Sequence, residues 1–176
     1  MAKNKWNVDA AHSSIDFKIR HMMVSKVRGA FQTFEASIEA DLEDLTTASI
    51  EFTVDVNSVD TRNEERDNHL RSADFFDVEH FPKMTFKSTQ ITKKSPGEYE
   101  ITGDLTIRGT TKPETFTVSY EGSGKDPWGN EKVGFEAHGS ISRSEYGLTW
   151  NAALETGGVL VADQVQISLD IQASKA

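Results

Sequence analysis

The sequence predicts an all-β fold: an eight-stranded antiparallel up-and-down barrel with one helix inserted between strands 3 and 4. Three observations carry this. Eight stretches alternate apolar and polar residues with a period of two, the pattern of strands with one buried face. One charged stretch between the third and fourth of them has helical spacing and a cap signal instead. The connections are short, which favours antiparallel neighbours, and eight such strands can close on themselves around an interior that is either filled or holds one small ligand. A two-sheet sandwich is the alternative arrangement.

In the first strand Ser13, Ile15, Phe17, Ile19 and His21 share the inward face, while Ser14, Asp16, Lys18 and Arg20 face out. The second begins near Lys26 with Val27, Gly29 and Phe31 on one face, then continues with Phe34, Ala36, Ile38 and Ala40 in the opposite parity. A bulge near Gln32-Thr33 would restore the phase. Ala48, Ile50, Phe52, Val54 and Val56 mark the third strand. Thr61-Arg62-Asn63-Glu64 has capping-box spacing, so a helix of about ten residues should run to Leu70-Arg71. Phe75 and Phe76 follow and are expected to plug one end of the barrel, and Phe81-Pro82 breaks any further helix.

Strands resume at Lys83 to Ile91 and Glu98 to Arg108, joined by Lys94-Ser95-Pro96-Gly97. The segment from Gly109 to Pro113 reads as the next turn, leading to Phe116, Val118 and Tyr120. A Gly, Pro and Asp loop from Gly122 to Asn130 places Trp128 at a rim. Val133, Phe135, Ala137, Gly139 and Ile141 form the seventh strand. After a less regular stretch from Ser142 to Gly158, Val165, Ile167, Leu169 and Ile171 form the eighth, which should close against the first.

At 176 residues the chain is expected to be a single domain spanning 1–176. No apolar run approaches the roughly 18 residues of a membrane span. The residues from Met1 to Trp6 lack the apolar core of a secretory signal. A cytoplasmic location is therefore expected, or a periplasmic or extracellular one if a signal has been removed. The absence of Cys excludes disulfides and thiolate chemistry. A net charge of −9 argues against a nucleic-acid partner, although Lys18, Arg20, Lys26 and Arg28 cluster locally. That cluster suits an anionic head group or a membrane surface, or is simply a solvated face.

The five His, at 12, 21, 69, 80 and 138, show no metal-ligand spacing, so neither a metal nor another cofactor is expected. His12 and Ser13 are adjacent on a strand and point to opposite faces, which separates them as base and nucleophile. No nucleophile elbow, phosphate loop or dinucleotide fingerprint is present. Arg62, Arg66, His69 and Arg71 on the helix either ring an anion at a barrel mouth or form a wet surface.

Several motifs, in order, resemble one family. They are Trp6-x-x-Asp9-x-x-His12-Ser13-x-x-x-Phe17-x-Ile19-x-His21, Arg66-Asp67-x-His69-Leu70-x-Ser72-x-Asp74-Phe75-Phe76-Asp77, Phe81-Pro82, Leu105-Thr106-Ile107-Arg108-Gly109-x-Thr111-Lys112, and Ser142-Arg143-Ser144-Glu145-Tyr146-Gly147-Leu148-x-Trp150. Together they resemble the YceI-like proteins, the bacterial polyisoprenoid-binding family. The resemblance implies a lipocalin-like barrel enclosing an elongated apolar pocket for a polyprenyl or quinone-type lipid, and often a homodimer.

The function expected from these readings is non-catalytic binding, storage or transport of a long-chain amphiphilic lipid. The alternatives are an enzyme acting on a small isoprenoid, with His21 or His12 as base, and a filled barrel serving as an interaction module. The expected tail-binding residues are Phe17, Ile19, Phe31, Phe52, Val54, Phe75, Phe76, Phe86, Phe116 and Phe135. His21, Arg28, Arg143 and Tyr146 are expected at the head group.

Overall fold

The computed structural model describes residues 3–22, 24–152 and 160–176. Its chain runs through β1 (Asn4–Val8), β2 (Ser14–His21), β3 (Ser25–Phe31), β4 (Phe34–Asp41), β5 (Asp44–Asp55) and the two-residue β6 (Val59–Asp60). The helix α1 (Glu64–Arg71) follows, then β7 (Lys83–Ser95), β8 (Glu98–Ile107), β9 (Thr110–Lys125), β10 (Glu131–Ser142) and β11 (Val161–Lys175). All ladders are antiparallel. The ring order is β1-β4-β5-β7-β8-β9-β10-β11, and it closes because β11 pairs back onto β1.

Two of the eight barrel strands are interrupted. β1 and β2 share one edge of β11, with Val8 opposite Ala173 and Ser14 opposite Asp170. Between them Asp9 caps a 3-10 turn over Ala10–His12, accepting from the Ala11 amide at 3.1 Å and pairing with His12 Nδ1 at 2.7 Å. The Ser13 hydroxyl spans the break: it donates to the Gln172 carbonyl at 3.3 Å and accepts from the Gln172 amide at 2.9 Å, satisfying backbone groups that the ladder leaves over. The five-residue β1 was not expected from the sequence, because only Trp6 in it is buried.

The second interruption lies at Gln32-Thr33, where the parity of the sequence changes. Phe31 and Phe34 flank it and are both buried, so the phase is reset as expected, but by a gap between β3 and β4 rather than by a bulge within one ladder. Below the gap β4 pairs with β5. Above it β3 pairs with β2 on one edge and meets only the short β6 on the other. The chain from Val56 to Val78 packs here, with Val56, Val59, Leu70, Phe76 and Val78 against Phe31 and Phe34.

The helix starts differently from the expected capping box. Asp60 accepts from the Arg62 amide at 2.9 Å, and Arg62 takes a left-handed conformation with φ of 63°. The cap therefore falls on Asn63, whose side chain accepts from the Arg66 amide at 3.0 Å, and α1 has eight residues. Thr61 instead donates to buried Asp67 through its amide at 2.8 Å and its hydroxyl at 2.5 Å. Arg71 fastens the other end of the helix by donating to the carbonyls of Asn57 and Val59, each at 3.0 Å.

The turn expected over 109–113 is shorter. Arg108 and Gly109, with φ of 50° and 76°, form a two-residue hairpin turn, and β9 begins at Thr110. β9 likewise runs on to Lys125, which shrinks the expected Gly122–Asn130 loop to 126–130; Trp128 there is 83% exposed. Of the irregular stretch after Ser142, residues 153–159 lie outside those described.

Candidate functional site

The inward faces of the strands enclose two chambers. The inner one, of about 150 Å³, is walled almost wholly by aliphatic and aromatic side chains of the long strands. The outer one, of about 540 Å³, lies at the end that carries α1 and the segment after β10. Ile15, Met84 and Ile167 line both chambers and so form a shared waist. The outer wall includes Asn63 and Glu65, both exposed, so this chamber reaches solvent beside α1.

All ten side chains expected to meet a lipid tail line one chamber or the other. Phe52, Val54, Phe86, Phe116 and Phe135 face the inner one, and Phe17, Ile19, Phe31, Phe75 and Phe76 the outer one. For the eight that lie on strands parity is the reason, since residues two apart on a strand project to the same side; Phe75 and Phe76 come from the turn after α1. Phe86 and Phe116 meet edge to face at 5.4 Å. Their rings lie over Gly103 and Gly139, where a Cβ would come within 2.5 Å of the Phe86 ring and 2.7 Å of the Phe116 ring. Phe75 and Phe76 are part of the chamber wall rather than a plug filling the barrel end.

The four expected head-group residues are not brought together. His21 lines the outer chamber and is half-buried. Arg143 also lines it, but its guanidinium already donates to four carbonyls: Ala162 at 2.8 Å, Leu148 at 2.5 Å, Trp150 at 3.0 Å and Val161 at 3.2 Å. Burial lowers its pKa, an effect that the charge of Asp163 opposes. Arg143 thus clamps the chain on both sides of residues 153–159, together with Asn151, which accepts from the Val161 amide at 3.0 Å. Arg28 and Tyr146 line neither chamber. Arg28 sits on the outward parity of β3 opposite Lys18, and Tyr146 is 1% exposed with its hydroxyl donating to the Glu114 carboxylate. Burial, then Glu114, raises that phenol well above the ordinary tyrosine range and keeps it neutral.

The polar groups that do reach the outer chamber come mostly from α1. They are Asn63 at its cap, Glu65, Arg66 and His69, joined by His21 and Arg143; Asp16 borders the chamber from β2 but has the outward parity and is exposed. Arg66 is partly engaged, donating to the Thr61 hydroxyl and carbonyl, both at 2.8 Å. Arg62 is exposed and Arg71 is spent on the Asn57 and Val59 carbonyls, so the helix does not present a ring of cations. His69 pairs with Asp74 at 2.9 Å and stands edge-on to Trp150 at 4.7 Å and Phe75 at 5.0 Å. His69 and Trp150 belong to the motifs of the resemblance, yet nothing in strand parity marks them, because neither lies on a strand.

Comparison with known proteins agrees with this geometry. A UPF0312 protein of Staphylococcus epidermidis is 44% identical over 171 residues, 97% of each chain. Among solved structures, BcnA of Burkholderia cenocepacia superposes with a TM-score of 0.83 at 28% identity, covering 94% of this chain and 99% of its own. A domain from Saccharophagus degradans, described as polyisoprenoid binding and implicated in plant cell wall breakdown, superposes at 0.67 with 12% identity, covering 97% and 98%. That likeness shows the shared barrel fold. The family model of the YceI-like domain matches residues 6–173, and the chain belongs to that family.

Proposed function

We propose that this protein is a binder and carrier of one isoprenoid-type lipid. The tail passes from the outer chamber through the waist at Ile15, Met84 and Ile167 into the inner chamber. The head group rests in the outer chamber among His21, Arg66 and His69. The observation that carries this reading is the pair of chambers sharing one waist, with charged and histidine side chains confined to the outer one.

Membership of the YceI-like family supports it. The physics is consistent, since apolar tail surface removed from water stabilises the complex by about 25 cal/mol per Å² without any directed polar contact. Recognition should therefore be tolerant of tail type and stricter about length.

The test is native mass spectrometry of delipidated protein incubated with polyprenols and quinones of graded length. A single bound lipid per chain, recovered intact and with occupancy that changes once the tail outgrows the inner chamber, is the expected result. Failure to load any prenyl lipid, or recovery of a chemically altered one, overturns the reading.

A further inference from the structure

The hairpin of β2 and β3 has two faces, and only the inner one belongs to the cargo site. On its outer face Lys18 lies directly opposite Arg28, and Arg20 directly opposite Lys26. Like charges facing each other across a ladder destabilise a sheet. None of the four cations has a carboxylate within ion-pair distance among the described residues. Gln166 of β11 is the neighbour of Lys18 on the other side. This cationic ladder stands out against a chain whose net charge is −9.

The hairpin tip adds a second, independent feature. Met22 is 48% exposed and Val24 is 89% exposed, two of the three large apolar side chains that the described fold leaves in water. They sit at the rim of the outer chamber: His21, the next residue along β2, lines that chamber, and the Met22 amide donates to the Leu160 carbonyl, 2.7 Å away, on the same wall. Cations beside exposed apolar side chains match a surface that is anionic outside and apolar beneath, which is the chemistry of an anionic lipid bilayer.

We infer that the β2–β3 hairpin is a docking surface for anionic lipid bilayers. Met22 and Val24 enter the interface, and Lys18, Arg20, Lys26 and Arg28 lie over the head groups. Docking in this way sets the mouth of the outer chamber against the bilayer. The link to lipid exchange rests on the cargo proposed above, whereas the docking itself does not.

The test is sedimentation of the full chain with vesicles of phosphatidylcholine alone and of phosphatidylcholine mixed with phosphatidylglycerol. Binding should require the anionic lipid and weaken with salt. Each cation lost should lower the partition about fivefold, so Arg20→Gln with Lys26→Gln lowers it roughly 25-fold. Val24→Ser should lower it as well.

Arg20→Glu guards against misfolding as the explanation, because it converts a repulsive pair into an attractive one: its melting temperature should rise while vesicle binding falls. Equal binding to neutral and anionic vesicles, or indifference to the Arg20 and Lys26 changes, overturns the inference. Loading of a polyprenol from solution separates the two readings. Wild-type protein that loads the prenol but ignores anionic vesicles refutes docking alone, and one that binds the vesicles but loads no prenol refutes the cargo alone.

Discussion

Ala137→Leu distinguishes a hollow barrel from a solid one. Ala137 lines the inner chamber, half-buried, and leucine would project three more carbons into it. In lipid-free protein a cavity of 150 Å³ forgoes about 3.6 kcal/mol of packing, at roughly 24 cal/mol per Å³. Leucine fills part of that space and gains about 2 kcal/mol from three buried carbons. Fixing its rotamer costs about 0.5–1 kcal/mol. The delipidated variant should therefore be about 1–1.5 kcal/mol more stable than wild type in urea, with an unchanged slope. It should also hold long prenols less well, because the added side chain occupies tail space. A loss of about 1–3 kcal/mol, the usual cost of overpacking a filled core, would show that the inner chamber is not space at all. Higher stability with undiminished retention of long prenols would show that the tail stops at the waist.

Three further outcomes follow from the geometry. Gly103→Ala should destabilise by about 1–3 kcal/mol in the same assay and reduce prenol retention, since its Cβ would lie 2.5 Å from the Lys87 carbonyl oxygen, which cannot step aside, and would push Phe86 into the inner chamber. Tyr146→Phe should cost about 1–3 kcal/mol by depriving the Glu114 carboxylate of its donor, while leaving prenol occupancy in native mass spectra unchanged. The Asp163 carboxyl is desolvated, which pushes its pKa up, but hydrogen bonds from Ser142 and Ser144 and the charge of Arg143 outweigh this and hold it below the ordinary carboxylate value. With the folded pKa below the unfolded one, its stabilisation is full above about pH 4 and fades as pH falls through the folded value. The stability gap between wild type and Asp163→Asn should accordingly be flat at neutral pH and close in acid, as read by urea midpoints across pH.

The barrel was readable in the sequence where a strand has one wet and one dry face. Phe17, Phe52, Phe86, Phe116 and Phe135 could be assigned inward from parity alone, and all of them line a chamber. β1 was missed because a five-residue strand with a single buried Trp6 carries too little pattern. The helix start was misplaced by two residues because the left-handed Arg62 moves the cap to Asn63 and turns Thr61 onto the Asp67 side chain instead of an amide of the helix, a backbone reversal that the capping-box spacing does not encode. The head-group residues were the least legible. Arg143 binds carbonyls contributed by two separate segments, and Tyr146 finds Glu114 on β9, so their availability to a ligand depends on partners that only the folded chain supplies.

β11 is the keystone of the ring: the same strand receives β2 along most of its length and β1 beyond Gln172, with Trp6 opposite Lys175. A chain emerging from the ribosome therefore carries an open, curled sheet, with both edges bare and its Phe-lined concave side in water, until this strand has been made. The interval before closure is when the unpaired strands are most exposed to edge-to-edge association. Closure joins residues near the two extremes of the sequence, so it is also the pairing with the greatest loop entropy to overcome and should be the slow step of refolding.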